Sequence, residues 1–282
     1  WMDDAPGYLP PIEIDAVIRS GAIGEVIASA SDRYAVGDHV FGMMGWTDHA
    51  LIDEGESVAQ VIPPGVDPTL AMSVLGVTGM TAYFGLLDIG RPQEGDTVVV
   101  SGAAGATGSV VGQIAKLKGA GNVVGIAGTD EKCAWLVDEL GFDAAINYKT
   151  ENVGRRLREL GPEGIDVYFD NVGGEILDAV LKRLRLHARI VLCGGISQYN
   201  ATGEARGPAN YLSLISARGR MEGFVIIDYL DRAAEAVAAM APWVQAGKLK
   251  SRIDVVEGLE HFPEALRRVY TGANFGKQLL KV

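Results

Sequence analysis

From Asp96 onward, six short runs rich in β-branched residues recur at spacings that leave room for a helix between neighbours: DTVVVSG, NVVGIAG, DAAINY, GIDVYFD, ARIVLCGG and MEGFVIID. Strands that are apolar along their whole length must be buried on both faces, and strands separated by helices must run parallel. The intervening segments support this. In GEILDAVLKRLRL, residues Ile176, Leu177, Val180, Leu181 and Leu184 fall on one stripe, with Lys182, Arg183 and Arg185 largely opposite. The pattern predicts a doubly wound α/β domain with a parallel sheet.

The first seventy-odd residues differ. IGEVIAS, GDHVFGMMGW, HALIDE and AQVIPP are brief strand-like runs broken by Gly, Pro and Asp, as a small antiparallel barrel requires. After the helical DRAAEAVAAMAPWVQAGKL, that character returns in SRIDVVEGL, a helix near FPEALRRVY, and a last strand KQLLKV. The expected organisation is therefore discontinuous, with residues 1–77 and 248–282 building one domain around a nucleotide-binding domain at 78–247. The reading takes the chain to open inside the first domain, with further residues expected before Trp1.

Composition narrows the partners. With 25 Lys and Arg against 36 Asp and Glu, the net charge is −11 and the acidic residues are scattered. Nothing offers a basic face for DNA or RNA. Residues 68–87 and 97–115 are uncharged windows, but their proline, glycines and hydroxyl residues read as buried αβ segments and not as membrane spans. The two cysteines, Cys133 and Cys193, form no Cys-x-x-Cys pair, which favours a reducing, cytoplasmic setting.

Gly102, Gly105 and Gly108 follow the strand TVVV with G-x-x-G-x-x-G spacing. Glycines let the backbone turn tightly and approach a pyrophosphate, whose charge sits at the positive end of the following helix, here starting near Thr107. The same residues could serve merely as a connecting turn. The second strand ends GIAGTDEK. Where an NAD site presents an acid to the ribose hydroxyls, this chain has Gly128 and Thr129, with the acid displaced to Asp130 and Lys132 following as a cation for a 2′-phosphate. This predicts preference for NADPH. Lys132 could equally be a solvated helix-start lysine, and Asp130 the helix N-cap.

With these segments and FDNVGG, GISQYN and GANFGKQ in view, the sequence resembles the medium-chain dehydrogenase/reductase superfamily. Within it, the resemblance is to the zinc-independent prostaglandin reductase and curcumin reductase branch, NADPH-dependent alkenal/one double-bond reductases. It extends over essentially the whole chain. Its most specific blocks are GMTAYFGLLDIG, GAAGATGSVVGQIAKLKG, GFDAAINYK, YFDNVGGE and TGANFGKQ. The resemblance implies a Rossmann domain inserted into a GroES-like antiparallel β-barrel whose N-terminal part is incomplete. The segment expected before Trp1 would include a tyrosine that meets the substrate.

The resemblance also implies site roles. Gly105, Ala106, Thr107 and Gly108 would line the pyrophosphate, Thr107 standing where the branch usually has valine. Gly128, Lys132 and Tyr148 would surround the adenosine 2′-phosphate. Asn171 and Asn274 would lie beside the cofactor, Thr78 and Thr81 against its nicotinamide half, Cys193, Gly194 and Ile196 beneath the nicotinamide, and Phe224 and Val225 along its other edge. Asn171 could instead be a turn former, Phe224 a core residue and Cys193 a small buried hydrophobe. Tyr199 is implied as the catalytic residue, bonding the nicotinamide ribose and stabilising an enolate; the residues alone also fit a loop tyrosine packed on the domain edge.

Zinc dehydrogenases of the superfamily need converging Cys and His ligands. The first barrel segment, residues 1–77, holds only His39 and His49 and no cysteine, and no ligand role is assigned to them, to His187 or to His261. Without a metal to polarise a carbonyl, conjugate reduction of an enone fits best. Alternatives are a quinone oxidoreductase, or a cofactor-binding protein without significant turnover. A small-molecule enone substrate and a homodimer are expected, the latter from the resemblance and from edge strands such as MEGFVIID.

Overall fold

The structure, a computed structural model, describes residues 9–53, 59–200 and 207–282. The expectation concerning Trp1 and what precedes it lies outside the described residues. The chain divides into two compact units, one comprising Trp1–Met72, Val255–Ala265 and Leu279–Val282, the other Ser73–Asp254 and Leu266–Gln278.

In the first unit, β1 (Ala22–Glu25), β2 (His39–Gly42) and β3 (Gln60–Val61) form an antiparallel sheet in that order. Ala22 lies opposite Gly42, and Val40 opposite Val61. This sheet fits the GroES-like part of the expected fold. Its core is small: Tyr34, Val40 and Ala59 are buried together, and the Tyr34 hydroxyl donates to the Ala59 carbonyl (3.0 Å) while accepting from its N–H (3.2 Å). That pair of bonds satisfies a buried phenol and a backbone amide at once. A short helix, α1 (Pro68–Met72), follows. HALIDE is not a strand over residues 49–53, where no ladder partner is present, and Glu54 lies outside the described residues.

The second unit opens with α2 (Val77–Phe84), which continues into a π-helical turn at Gly85–Gly90. Strand and helix then alternate: β4 (Thr97–Ser101), α3 (Ala106–Leu117), β5 (Asn122–Ala127), α4 (Asp130–Asp138), β6 (Ala144–Asn147), α5 (Val153–Leu160), β7 (Ile165–Asp170), α6 (Gly174–Leu181), β8 (Leu184–Leu192), α7 (Ser213–Ala217) and β9 (Arg220–Gly223). A 3-10 turn at Ile226–Arg232 leads into α8 (Ala233–Gln245), and β10 (Ile253–Glu257), α9 (Phe262–Thr271) and β11 (Lys277–Lys281) close the chain.

The six strands β4 to β9 form one parallel sheet in the order β6-β5-β4-β7-β8-β9. This is the doubly wound Rossmann arrangement, in which strand order reverses on either side of the first strand. Val98, Val99 and Val100 of β4 are buried, as a central strand covered on both faces demands. Helix α3 packs closely on the connection into β6 because Gly112 has no side chain: a methyl there would strike the Phe142 ring.

Two boundaries depart from the sequence pattern. The stripe through Ile176 and Val180 ends at Leu181, and Leu184 begins β8, because Arg183 donates back to Val180 and closes the helix. MEGFVIID is a strand only to Gly223; Phe224 and Val225 leave the ladder and the chain turns into the 3-10 segment. An apolar run alone does not distinguish a strand from a buried turn.

Candidate functional site

Parallel strands all deliver their carboxyl ends to one side of the sheet. Register places Ser101 beside Ile126, Ala127 beside Asn147, Asp170 beside Leu192, and Leu192 beside Gly223. Most sequence-predicted residues follow these ends: Gly105 to Gly108 after β4, Gly128 and Lys132 after β5, Tyr148 after β6, Asn171 after β7, Cys193 to Tyr199 after β8, and Phe224 with Val225 after β9. Such loops bracket the crevice where doubly wound sheets bind ligands.

The glycine loop is built for close approach. Gly102 turns at φ +57°, a left-handed conformation that glycine adopts without a Cβ penalty. A Cβ on Gly108 would strike the Gly102 carbonyl, so helix and loop can pack this tightly only with glycine there. Helix α3 starts from Gly105 with no side-chain cap, leaving the N–H groups of its first turn for a ligand. An uncapped helix N-terminus behind a glycine turn fits a pyrophosphate.

After β5, Thr129 caps α4, its hydroxyl accepting from the Lys132 N–H at 3.2 Å. The cap is therefore Thr129 and not Asp130, which is the first helical residue and accepts from Asn147 Nδ2 at 2.7 Å. The Asp130 carboxylate, though on an exposed residue, is thus committed to a bond within the protein. Lys132 is almost completely buried, and its ammonium donates to the Gly272 carbonyl at 2.7 Å. Burial lowers its pKa, and the neighbouring Lys149 ammonium lowers it further, against the opposing pull of Asp254 and Glu131. Tyr148 and Lys149 both stand over Gly128, where an added Cβ would lie 3.1 Å from the Tyr148 ring and 3.4 Å from Lys149 Cε. Lys149 makes no ion pair among the described residues. A cation and a phenol gathered over a glycine, with the Lys132 ammonium close enough to feel the Lys149 charge, fit a dianionic 2′-phosphate.

The β7 end is fixed by Asp170, fully buried. Its Oδ1 accepts from Ser101 Oγ (2.8 Å), Tyr168 OH (2.8 Å) and the N–H groups of Val172 (3.0 Å) and Gly173 (2.9 Å). Asn171 donates through Nδ2 to the Ser101 carbonyl at 2.7 Å. These bonds lock the β7 loop to the end of β4. The next loop is hung on them: Cys193 and Gly194 donate to the Asp170 carbonyl, and Ile196 to that of Asn171. Burial, aided by the Asp170 charge, pushes the Cys193 thiol up to about 12. Tyr199 is half-exposed, and its hydroxyl accepts from the Gly195 N–H at 3.0 Å. A side chain on Gly194 would come within 3.1 Å of that hydroxyl.

Asn274 belongs to the segment 272–276, which meets the glycine loop: Gly276 donates to Ala104 and forms a parallel bridge with Gly105. Asn274 itself donates to the Gly276 carbonyl at 2.9 Å, shaping that loop. Thr78 and Thr81 lie on α2, their hydroxyls bonded to the Ser73 and Val77 carbonyls. Phe224 packs among Phe169 and Tyr229 and against Gly85, and Val225 is half-buried beside it. Sequence reasoning missed Lys149, Ser101 and Asp170. Lys149 was legible as a second cation after the β6 strand; the other two become visible only once parallel register sets β4 beside β7. Among the described residues no group of three or more His, Cys, Asp or Glu is placed to hold a metal.

Two family models match the chain: "Zinc-binding dehydrogenase" over residues 106–244 and "N-terminal domain of oxidoreductase" over residues 1–61. The chain is 49% identical to the protein named "Putative NADP-dependent oxidoreductase YfmJ" of Bacillus subtilis, over 100% of this chain and 83% of that one. It is 41% identical to the NADPH-dependent curcumin reductase of Escherichia coli, over 100% and 82% of the two chains. The crystal structure of CurA from Vibrio vulnificus in complex with NADPH superposes with a TM-score of 0.92 at 44% identity, covering 99% of this chain and 84% of that one. With the parallel sheet, the glycine loop and relatives of this identity along nearly the whole of this chain, the chain belongs to the medium-chain dehydrogenase/reductase superfamily, in its zinc-independent prostaglandin reductase and curcumin reductase branch.

Proposed function

We propose that the protein is an NADPH-dependent reductase of the carbon–carbon double bond of α,β-unsaturated ketones and aldehydes. The observation that carries this reading is the agreement of its relatives. A curcumin reductase, a 2-alkenal reductase, a (+)-pulegone reductase and prostaglandin reductases share 40% to 43% identity with it over at least 92% of the chain. Loops built for a pyrophosphate and a 2′-phosphate support the same cofactor.

NADPH, when bound, supplies the hydride for the β-carbon. The chain's own residues bind and orient. The first turn of α3 receives the pyrophosphate, Gly105, Ala106, Thr107 and Gly108 giving it room. Tyr148, Lys149 and Lys132 hold the 2′-phosphate, and Asn171, Cys193, Gly194 and Ile196 line the crevice, the N–H groups of Cys193 and Gly194 already committed to the Asp170 carbonyl and that of Ile196 to the Asn171 carbonyl. The Tyr199 oxygen accepts from the Gly195 N–H, and the accepted bond strengthens its hydroxyl as a donor. Tyr199 thus presents a donor to the oxygen on which negative charge accumulates as the β-carbon is reduced. Asn274, Thr78, Thr81, Phe224 and Val225 complete the cofactor contacts in this reading, with residues 1–77 and 248–282 forming the substrate domain around 78–247.

The reading extends to a cytoplasmic homodimer. Both cysteines are free thiols, no helix among the described residues is long and apolar enough to cross a membrane, and β9 ends the sheet with an edge open to a second copy. Light scattering at twice the chain mass is the expected result. The activity is tested by following NADPH absorbance with straight-chain enones and alkenals beside quinones. Turnover of enones above quinones is expected; no oxidation with any enone overturns the reading, and faster quinone reduction reassigns it.

A further inference from the structure

The carboxylate that anchors the β7 loop is a charge the fold leaves unbalanced. Asp170 is fully buried at the carboxyl end of β7, beside Leu192 of β8 and bonded to Ser101 of β4. Its four hydrogen bonds, from Ser101 Oγ, Tyr168 OH and the N–H groups of Val172 and Gly173, all fall on Oδ1. Oδ2 is buried as well and has no hydrogen-bond partner among the described residues. No Lys, Arg or His among the described residues forms an ion pair with either oxygen.

Part of this arrangement is structural. Val172 and Gly173 lead into α6, so Oδ1 ties the turn before that helix to the end of β4. That task uses one oxygen, and an amide oxygen would serve it. The four donors and the positive end of the eight-residue α6 are dipoles, which offset a buried anion only in part. Charges buried without a cation are costly to the fold, and they gather at functional sites.

The loop hung on Asp170 is the one proposed to run beneath the nicotinamide. Cys193 and Gly194 donate to the Asp170 carbonyl at 2.9 and 3.0 Å, and the Asp170 charge is felt at the Cys193 thiol. The same loop carries Gly195, whose N–H donates to the Tyr199 hydroxyl at 3.0 Å. A dihydronicotinamide is neutral, and departure of its hydride, with both electrons, leaves the ring cationic. A ring lying on this loop would gain its charge near a buried anion, where attraction is screened far less than in water.

We propose that Asp170 assists hydride transfer from behind the 193–196 loop, its unbalanced carboxylate favouring the cationic, oxidised nicotinamide over the neutral, reduced one. The inference rests on the cofactor reading given above and does not depend on which acceptor is reduced.

The test compares the dissociation constants of NADP⁺, by calorimetry, and of NADPH, by its fluorescence, with no enone present, in the wild type, Asp170→Asn and Tyr168→Phe. Asp170→Asn keeps an acceptor for the four donors and removes the charge. It should weaken NADP⁺ relative to NADPH about tenfold, and by linkage the redox equilibrium of the bound cofactor shifts by the same factor. Tyr168→Phe takes one donor from the carboxylate and leaves its charge less screened, so the ratio should move the other way, toward tighter NADP⁺. That second variant decides the matter if thermal melts show that Asp170→Asn does not fold. Equal loss of affinity for both cofactors, or a ratio unchanged in the folded variants, overturns the proposal and leaves Asp170 a structural anchor alone. Should the wild type bind neither cofactor, the cofactor reading fails and the inference with it.

Discussion

Cys193 shows how a single buried atom sets a pH dependence. Its thiol is raised from 9.0 to about 12, because burial and then the Asp170 charge both disfavour the thiolate. In the unfolded chain the thiol ionises near its ordinary value, so above about pH 9 the unfolded state loses a proton that the folded state keeps. The stability conferred by the neutral thiol is complete below that pH and falls as pH rises toward 12, by up to about 1.4 kcal/mol per pH unit. Denaturant melts of the wild type should therefore steepen their decline above pH 9, and Cys193→Ala should flatten part of it; identical slopes would count against this origin. Lys149 sets a different property. Its ammonium makes no ion pair among the described residues and its side chain stands with Tyr148 over Gly128, so Lys149→Ala should raise KM for NADPH about tenfold while leaving KM for NADH unchanged. Equal losses with both cofactors would place Lys149 outside the phosphate contacts.

Helix α4 and the loop facing it show what a sequence can reveal about an element. The cap chemistry was nearly legible, since both Thr129 and Asp130 are capping residue types, but only the backbone shows that Thr129 holds the position and that Asp130 is bonded to Asn147. Thr129→Ala removes that cap and should cost about 1 kcal/mol, read as a fall of about 2 °C in Tm. The strands of the Rossmann sheet could be read because each is apolar through its length, and the glycine loop because its spacing follows one of them. The end of MEGFVIID as a strand could not, because an apolar run keeps no record of where its ladder partner stops. The Asp170 hub was equally hidden: Ser101 and Asp170 are 69 residues apart and meet only through the β4–β7 register. Lys132 belongs with these long-range facts, its ammonium reaching Gly272 140 residues away. Lys132→Met should loosen the 272–276 loop, seen as faster amide hydrogen exchange at Gly276 without change in β4; unaltered exchange would remove the tether role.

At the scale of the whole molecule, the question is whether the two compact units unfold together. Three elements run across the division between them: β10 passes it after Asp254, α9 after Ala265 and β11 after Gln278. Melting either unit alone would break a helix and two strands in mid-course, exposing backbone groups that their ladders and turns now satisfy. The loops proposed to hold the cofactor, by contrast, lie in a single unit. A ligand that binds only the folded state adds stability by mass action, about 2.7 kcal/mol at a hundred times its Kd, and it does so only for the transition that destroys its site. If the three shared elements couple the units, calorimetry should show one transition that NADPH raises as a whole, more than NADH at equal concentration because of the 2′-phosphate contacts. Two transitions, of which NADPH moves one, would mean that the shared elements split at low cost and that the small unit folds on its own account.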